Sequence, residues 1–160
     1  MKNRTTVERK SDRELVVTRT INGPARIVFE AFTKAELFRR WWVPKSMPMT
    51  LLSCELDARV GGKYRLVFDH APEPVAFFGT YLEVKPYSRL AWTNEEGGEG
   101  GSVTTVTFEE KSGKTLVVFL ERYPTKEAFD AAGTGAADAM NETFDQLDEL
   151  LVALGESSGQ

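Results

Sequence analysis

Hydrophobic and polar positions along this chain change period three times. "ELVVTRTI" (Glu14 to Ile21) alternates and is rich in β-branched residues, the pattern of a strand, and the turn-forming "NGP" stops it. Pro24 suits the first turn of a helix, where its missing N–H costs nothing, and Ile27, Val28, Ala31 and Phe32 then recur at helical spacing. Thr33 opens a second short helix over "KAELFRRWW", and Pro44 forbids its continuation. Two short helices therefore follow the first strand.

From Leu51 to Tyr123 the period returns to two, in the runs "TLLSCELDA", "GGKYRLVFD", "VAFFGTYLEV", "SRLAWTNE", "SVTTVTFEE" and "KTLVVFLERY". Their dividers, "RVGG", "HAPEP", "KPYS", "EEGGEGG" and "KSGK", carry the Gly, Pro and Ser that tight connections require. Strands joined by such short links pair antiparallel, as a meander. Thr125 and Glu127 start the last helical segment, in which Ala136, Met140, Phe144, Leu147 and Leu151 form one apolar stripe. Asp138, Glu142, Asp145 and Glu149 lie mainly elsewhere on it. "AAGTG" (131 to 135) predicts a break, because each of its two glycines lowers helix propensity by about 1 kcal/mol.

A strand, two helices, six antiparallel strands and a long helix predict an α+β grip: a seven-stranded curved antiparallel sheet wrapped around the apolar side of the C-terminal helix. Such a sheet rarely closes completely on one helix, so a cavity is expected between them. The domain spans residues 13 to 154, between polar tails at 1 to 12 and 155 to 160.

Composition narrows the function classes. At 160 residues and 17.9 kDa the chain is one domain, with a core that needs neither metal nor disulfide. A net charge of -4, with scattered positive charges, argues against nucleic acid, since phosphate contacts need a concentrated basic face. The single cysteine, Cys54, supports neither a disulfide framework nor a cysteine zinc cluster, and points to a reducing, cytoplasmic setting. No run approaches the roughly 18 apolar residues of a membrane helix, and the polar start lacks the apolar middle of a secretory signal. No metal or nucleotide cofactor is implied. Monomer and homodimer both remain open.

Several stretches carry a resemblance: "INGPARIVFEAFTKAELFRRWW", "CELDARVGGKYRL", "FFGTYLEVKPYSRLAWT", "VTFEEKSGKTLVVF" and "MNETFDQLDELL". The chain resembles the helix-grip (SRPBCC, or Bet v 1/START-like) superfamily of START domains, polyketide cyclases and birch-pollen-allergen-like proteins. Within it, the bacterial branch related to the C-terminal domain of the activator of the Hsp90 ATPase is most similar. The likeness runs over about residues 14 to 154 and implies the fold far more specifically than the function. Where many members carry a Gly-Trp pair entering the last helix, this chain has "AADAMNETF", so residues around Ala139 and Met140 fill that space.

Alternation places Tyr64, Leu66 and Phe68; Phe77, Gly79 and Tyr81; Leu90 and Trp92; Val106 and Phe108; and Val118 and Leu120 on the inner face. Most such residues are packing. Tyr64, Tyr81 and Trp92, each an aromatic body with a polar tip, suit a ligand wall, as do Leu66, Phe68, Phe77, Phe108, Val118, Met140 and Phe144 around them. Trp41 and Trp42 are adjacent on a helix and point roughly 100° apart, so one packs inward and the other covers the rim. Core plug and ligand contact are both open for the pair. "DARVGG" lacks any phosphate-loop spacing and reads as a hairpin turn that Asp57 and Arg59 stabilise. His70 reads as a solvated loop residue and Cys54 as a small core thiol. Glu55, Glu83, Arg89, Asn94, Glu121 and Arg122 are strand polars, most of them facing solvent; any turned inward would pair or orient a polar ligand group.

Three functions follow. The first is binding of a small hydrophobic molecule, lipid-like or polyphenol-like, with no catalytic residue assigned. The second is a cyclase or aromatase, with Tyr64, Tyr81 and Glu83 as first suspects. The third, implied only by the resemblance, is a chaperone-related interaction module, which exposure of Trp41 or Trp42 in an apolar patch would favour.

Overall fold

A computed structural model describes residues 5–43, 46, 50–69, 72–95, 101–132 and 135–157. Pro44, His70 and Gly133, each singled out by the sequence, lie outside them. The elements run β1 (Thr6–Arg9), β2 (Glu14–Ile21), α1 (Ala25–Thr33), α2 (Ala35–Phe38), β3 (Leu51–Leu56), β4 (Lys63–Phe68), β5 (Val75–Lys85), β6 (Arg89–Thr93), β7 (Val103–Lys111), β8 (Lys114–Arg122), α3 (Lys126–Ala132) and α4 (Gly135–Ser157). The strands form one antiparallel curved sheet in the order β1-β2-β8-β7-β6-β5-β4-β3, with α1 and α4 on its inner face. This is the α+β helix-grip architecture.

Among the described residues the sheet has eight strands rather than seven. Thr6–Arg9 pairs along β2, with Thr6 opposite Thr18 and Arg9 opposite Leu15. "TVER" carries one apolar residue, Val7, so periodicity has nothing to detect; an edge strand that half-buries a single apolar side chain needs no more. α2 is also shorter than "KAELFRRWW" suggests. Its N-cap is Lys34, while the Thr33 hydroxyl bonds back to Phe29 O in α1. The chain leaves the helix at Phe38, whose carbonyl then accepts from both Trp41 N and Trp42 N. Two tryptophans side by side fit such a tight turn better than a helix, because the turn lets one ring go in and the other across.

α1 buries Ala25, Val28, Phe29, Ala31 and Phe32, a stripe at helical spacing. Each large side chain in it contributes about 1.5–3 kcal/mol by leaving water. Its N-terminus is closed by Glu110 of β7, whose Oε1 accepts from Ala25 N at 2.8 Å, a negative charge at the positive end of the helix. α4 is pinned to β2 by a buried ion cluster. Arg19, 1% exposed, donates to Asp148 Oδ2 at 2.6 Å, lies 2.9 Å from Asp145 Oδ1, and reaches Thr5 just before β1. Asp148 Oδ1 meanwhile accepts from Asn22 N.

Register fixes which residues face the helix. Tyr64, Leu66 and Phe68 on β4, Gly79 and Tyr81 on β5, Leu90 on β6, and Val106 and Phe108 on β7 are all buried on the inner face. β8 runs the other way from the alternation assumed for it. Val117 pairs with Phe108 and with Arg19, and Phe119 with Val106 and Val17, so Val117 and Phe119 point inward. Val118 and Leu120 face outward.

Candidate functional site

On the half of the inner face away from α1, four aromatic rings meet edge to face. Tyr64 and Tyr81 have centroids 6.0 Å apart, each lies 6.4 Å from Trp92, and Trp92 lies 6.2 Å from Phe119. Tyr64 and Tyr81 are buried, whereas Trp92 and the neighbouring Phe77 are only half-buried. Phe77 in turn stands edge-on to Phe68 at 5.4 Å. Buried aromatics with two partly open members at their border make a flat apolar wall.

A row of polar groups crosses the strands beside that wall. Asn94 follows β6 and pairs with Ser102 at the start of β7; Thr104 pairs with both Trp92 and Glu121; Tyr123 continues the inward parity of β8. Asn94 Nδ2 donates to Ser102 Oγ at 3.0 Å and to Thr104 Oγ1 at 2.9 Å, and its Oδ1 accepts from the Tyr64 hydroxyl at 3.0 Å. The Ser102 hydroxyl donates to Glu121 Oε2 at 3.0 Å. The Tyr123 hydroxyl also donates to Glu121. Burial first, then the Glu121 charge and that hydrogen bond, push its pKa up to about 12. Burial likewise pushes the Tyr81 phenol well above its usual range. Gly79 makes the arrangement possible: a Cβ there would stand 1.8 Å from Thr93 O and 2.7 Å from the Tyr64 ring, so only glycine lets Tyr64 lie flat enough to reach Thr93 O and Asn94.

Residues 22–152 match the family described as Activator of Hsp90 ATPase homolog 1-like protein. The chain belongs to that family. Among solved structures it is similar to a protein from Rhodobacter sphaeroides (TM-score 0.82, 22% identity, covering 94% of this chain and 99% of that one). It is similar also to one from Staphylococcus epidermidis (TM-score 0.74, 30% identity, covering 92% and 94%). A third, an AHSA1-like protein from Aeromonas hydrophila, shares the fold (TM-score 0.68, 19% identity, covering 88% and 94%). No curated protein matches the chain.

Within this activator-homologue fold, the residues singled out by sequence divide into groups. Tyr64, Leu66, Phe68, Phe77, Tyr81 and Trp92 share the wall just described. Phe108 also faces inward, but its ring is covered edge-on by Phe29 and Phe32 of α1, which makes it core. Met140 and Phe144 are buried on α4, and Phe144 stacks at 6.4 Å on Trp41. Trp41 is fully buried among Phe32, Phe38 and Phe144, with its Nε1 donating to Ala31 O at 2.9 Å. Trp42 is half-buried and stacked on Phe38 at 4.8 Å. Val118 is the correction: it lies on the outer face of β8 and cannot reach the wall.

The polar candidates separate similarly. Glu83 pairs with Arg89 and Lys85 on the outer side of the bulged β5, away from Tyr81. Asp57 and Arg59 hold the β3–β4 turn, where Gly61 takes φ +83° and a Cβ on Gly62 would meet Asp57 O at 2.0 Å. Cys54 is half-buried beside α2, its thiol pushed up in pKa by burial. Among the described residues no three of His, Cys, Asp and Glu gather as metal ligands, and no helix is long and apolar enough to cross a membrane. Glu121 and Asn94 are the strand polars that turn inward; Ser102, Thr104, Phe119 and Tyr123 complete the site without any signal of their own. The signal that places them is the hairpin count from Ser112-Gly113.

Proposed function

We propose that the chain binds a small aromatic or hydrophobic molecule against the inner face of the sheet, between the Tyr64–Tyr81–Trp92 wall and α4. The observation that carries this reading is the partial exposure of Trp92 and Phe77 at the border of an otherwise buried aromatic cluster. A filled core leaves no such rings open on its inner side. Thermal denaturation against a panel of small aromatics and fatty acids tests it. A ligand at a hundred times its Kd stabilises the folded state by about 2.7 kcal/mol, and Trp92→Leu should abolish that gain. No stabilisation by any member of the panel would sink the reading.

A second reading, acid–base chemistry of the cyclase kind, is favoured by the Glu121–Tyr123 contact, two titratable groups meeting beside the wall. It replaces Glu83, which faces outward, with Glu121. Incubation with a linear polyketone distinguishes it: ring formation lost in Glu121→Gln supports catalysis, and binding without turnover discards it. The burial of Trp41 and the stacking of Trp42 on Phe38 do not favour an interaction module built on those rings.

A further inference from the structure

We infer that the polar row formed by Asn94, Ser102, Glu121 and Tyr123 recognises a hydroxyl group on an aromatic ligand and disfavours carboxylates and phosphates. The inference rests on the binding reading above and names the chemistry of its polar end.

The direction of the hydrogen bonds carries the argument. Asn94 spends its amide hydrogens on Ser102 and Thr104, and Tyr64 gives its hydroxyl hydrogen to Thr93 O and Asn94 Oδ1. Ser102 and Tyr123 both give theirs to the Glu121 carboxylate. The hydrogens of Asn94, Tyr64, Ser102 and Tyr123 are directed at neighbours within the site, so toward a ligand these groups present oxygen lone pairs beside the negative charge of Glu121. An anionic ligand end would meet like charge at Glu121. A hydroxyl matches, because it brings one donor and repeats the O–H to carboxylate contact that Ser102 already makes. The adjoining row across the same strands, Val17, Phe119, Val106 and Leu90, is buried and apolar. Next to it, Trp92 offers a flat ring. The complementary molecule is therefore a planar apolar body with a hydroxyl at one edge.

Isothermal titration of the full chain with naphthalene, 2-naphthol and 2-naphthoate tests this. We expect 2-naphthol to bind at least about tenfold tighter than either of the others, the scale of a hydrogen bond to a charged group. Glu121→Gln should remove most of that preference while naphthalene affinity stays within about twofold, and Ser102→Ala, which keeps the carboxylate, should retain most of it. Circular dichroism melting confirms that the variants fold. The phenolate absorbance of Tyr123 should appear at lower pH in Glu121→Gln, a readout of the contact independent of ligand. Equal binding of 2-naphthol and naphthalene, or 2-naphthoate binding as tightly as 2-naphthol, overturns the inference and leaves the binding reading standing. So does a hydroxyl preference unchanged in Glu121→Gln. Binding of none of the three overturns both.

Discussion

At the scale of single residues, the tryptophan pair divides its work between packing and cover. Trp41 is enclosed by four aromatic rings, those of Phe32, Phe38, Trp42 and Phe144, and its indole N–H donates to Ala31 O. Trp41→Ala should therefore cost about 3–5 kcal/mol in urea denaturation, whereas Trp42→Ala, which removes a half-buried ring, should cost distinctly less. Gly79→Ala drives a methyl into Thr93 O and the Tyr64 ring, so both stability and the Tyr64–Asn94 bond should be lost; an unchanged melting temperature would contradict the close approach. Tyr123 sets an alkaline limit. Its folded pKa is raised to about 12 from an ordinary value of about 10. Both folded and unfolded chains keep this proton below pH about 10, and above that the unfolded chain releases it first. Unfolding free energy should thus fall between about pH 10 and 12, with a smaller fall in Tyr123→Phe. Most of the aromatic wall was legible in alternation because "KYRLVF" and "RLAWT" put their aromatic and leucine side chains on one parity. "KTLVVFLERY" hides its parity, since Leu116 to Leu120 are apolar without interruption. The two-residue turn Ser112-Gly113 resolves it: counting outward from Lys111 opposite Lys114 puts Phe108 opposite Val117, and the same count carries Glu121 and Tyr123 inward.

At the scale of elements, α4 is fastened from both flanks. On the β2 side Arg19 holds Asp145 and Asp148. Arg19→Ala would leave two carboxylates facing each other in a mostly buried place, a loss of about 3–5 kcal/mol at neutral pH. Urea denaturation of Arg19→Ala beside the parent chain measures it, and a loss below about 1 kcal/mol would contradict the ion cluster as the tie between α4 and β2. β1 is the least expected element, and beyond its ladder with β2 it is tied by an exposed contact: Arg9 lies 3.2 Å from Asp130 and over the Phe129 ring of α3. Deleting residues 1–9 should leave the remaining sheet folded, and hydrogen exchange should then quicken in β2 while β7 stays protected. Nothing in "TVER" announces a strand. Its partner supplies the reason for it, because β2 would otherwise be an open edge beside the buried Arg19.

At the scale of the whole molecule, the element order was legible almost throughout, since a meander between two helical segments leaves few ways to bury every apolar stripe. What stayed hidden was distance between parts far apart in sequence: the row joining Asn94, Ser102 and Glu121 exists only once three strands are in register. The same long-range ties set how the grip can move. Ser46 bonds to Glu142, and Gln146 Nε2 donates to both Trp41 O and Val43 O at 2.9 Å, on the flank of α4 opposite the Arg19 cluster. From Glu142 to Asp148 the helix is thus splinted between the strand that precedes α1 and the segment that follows α2. In mechanical terms this stretch, β2, Trp41 to Val43 and Ser46 form one rigid jaw. Under the proposed binding, a bulky guest would have to flex the opposite jaw, the β3–β4–β5 side of the sheet, and the curl of that side would act as the spring of the device.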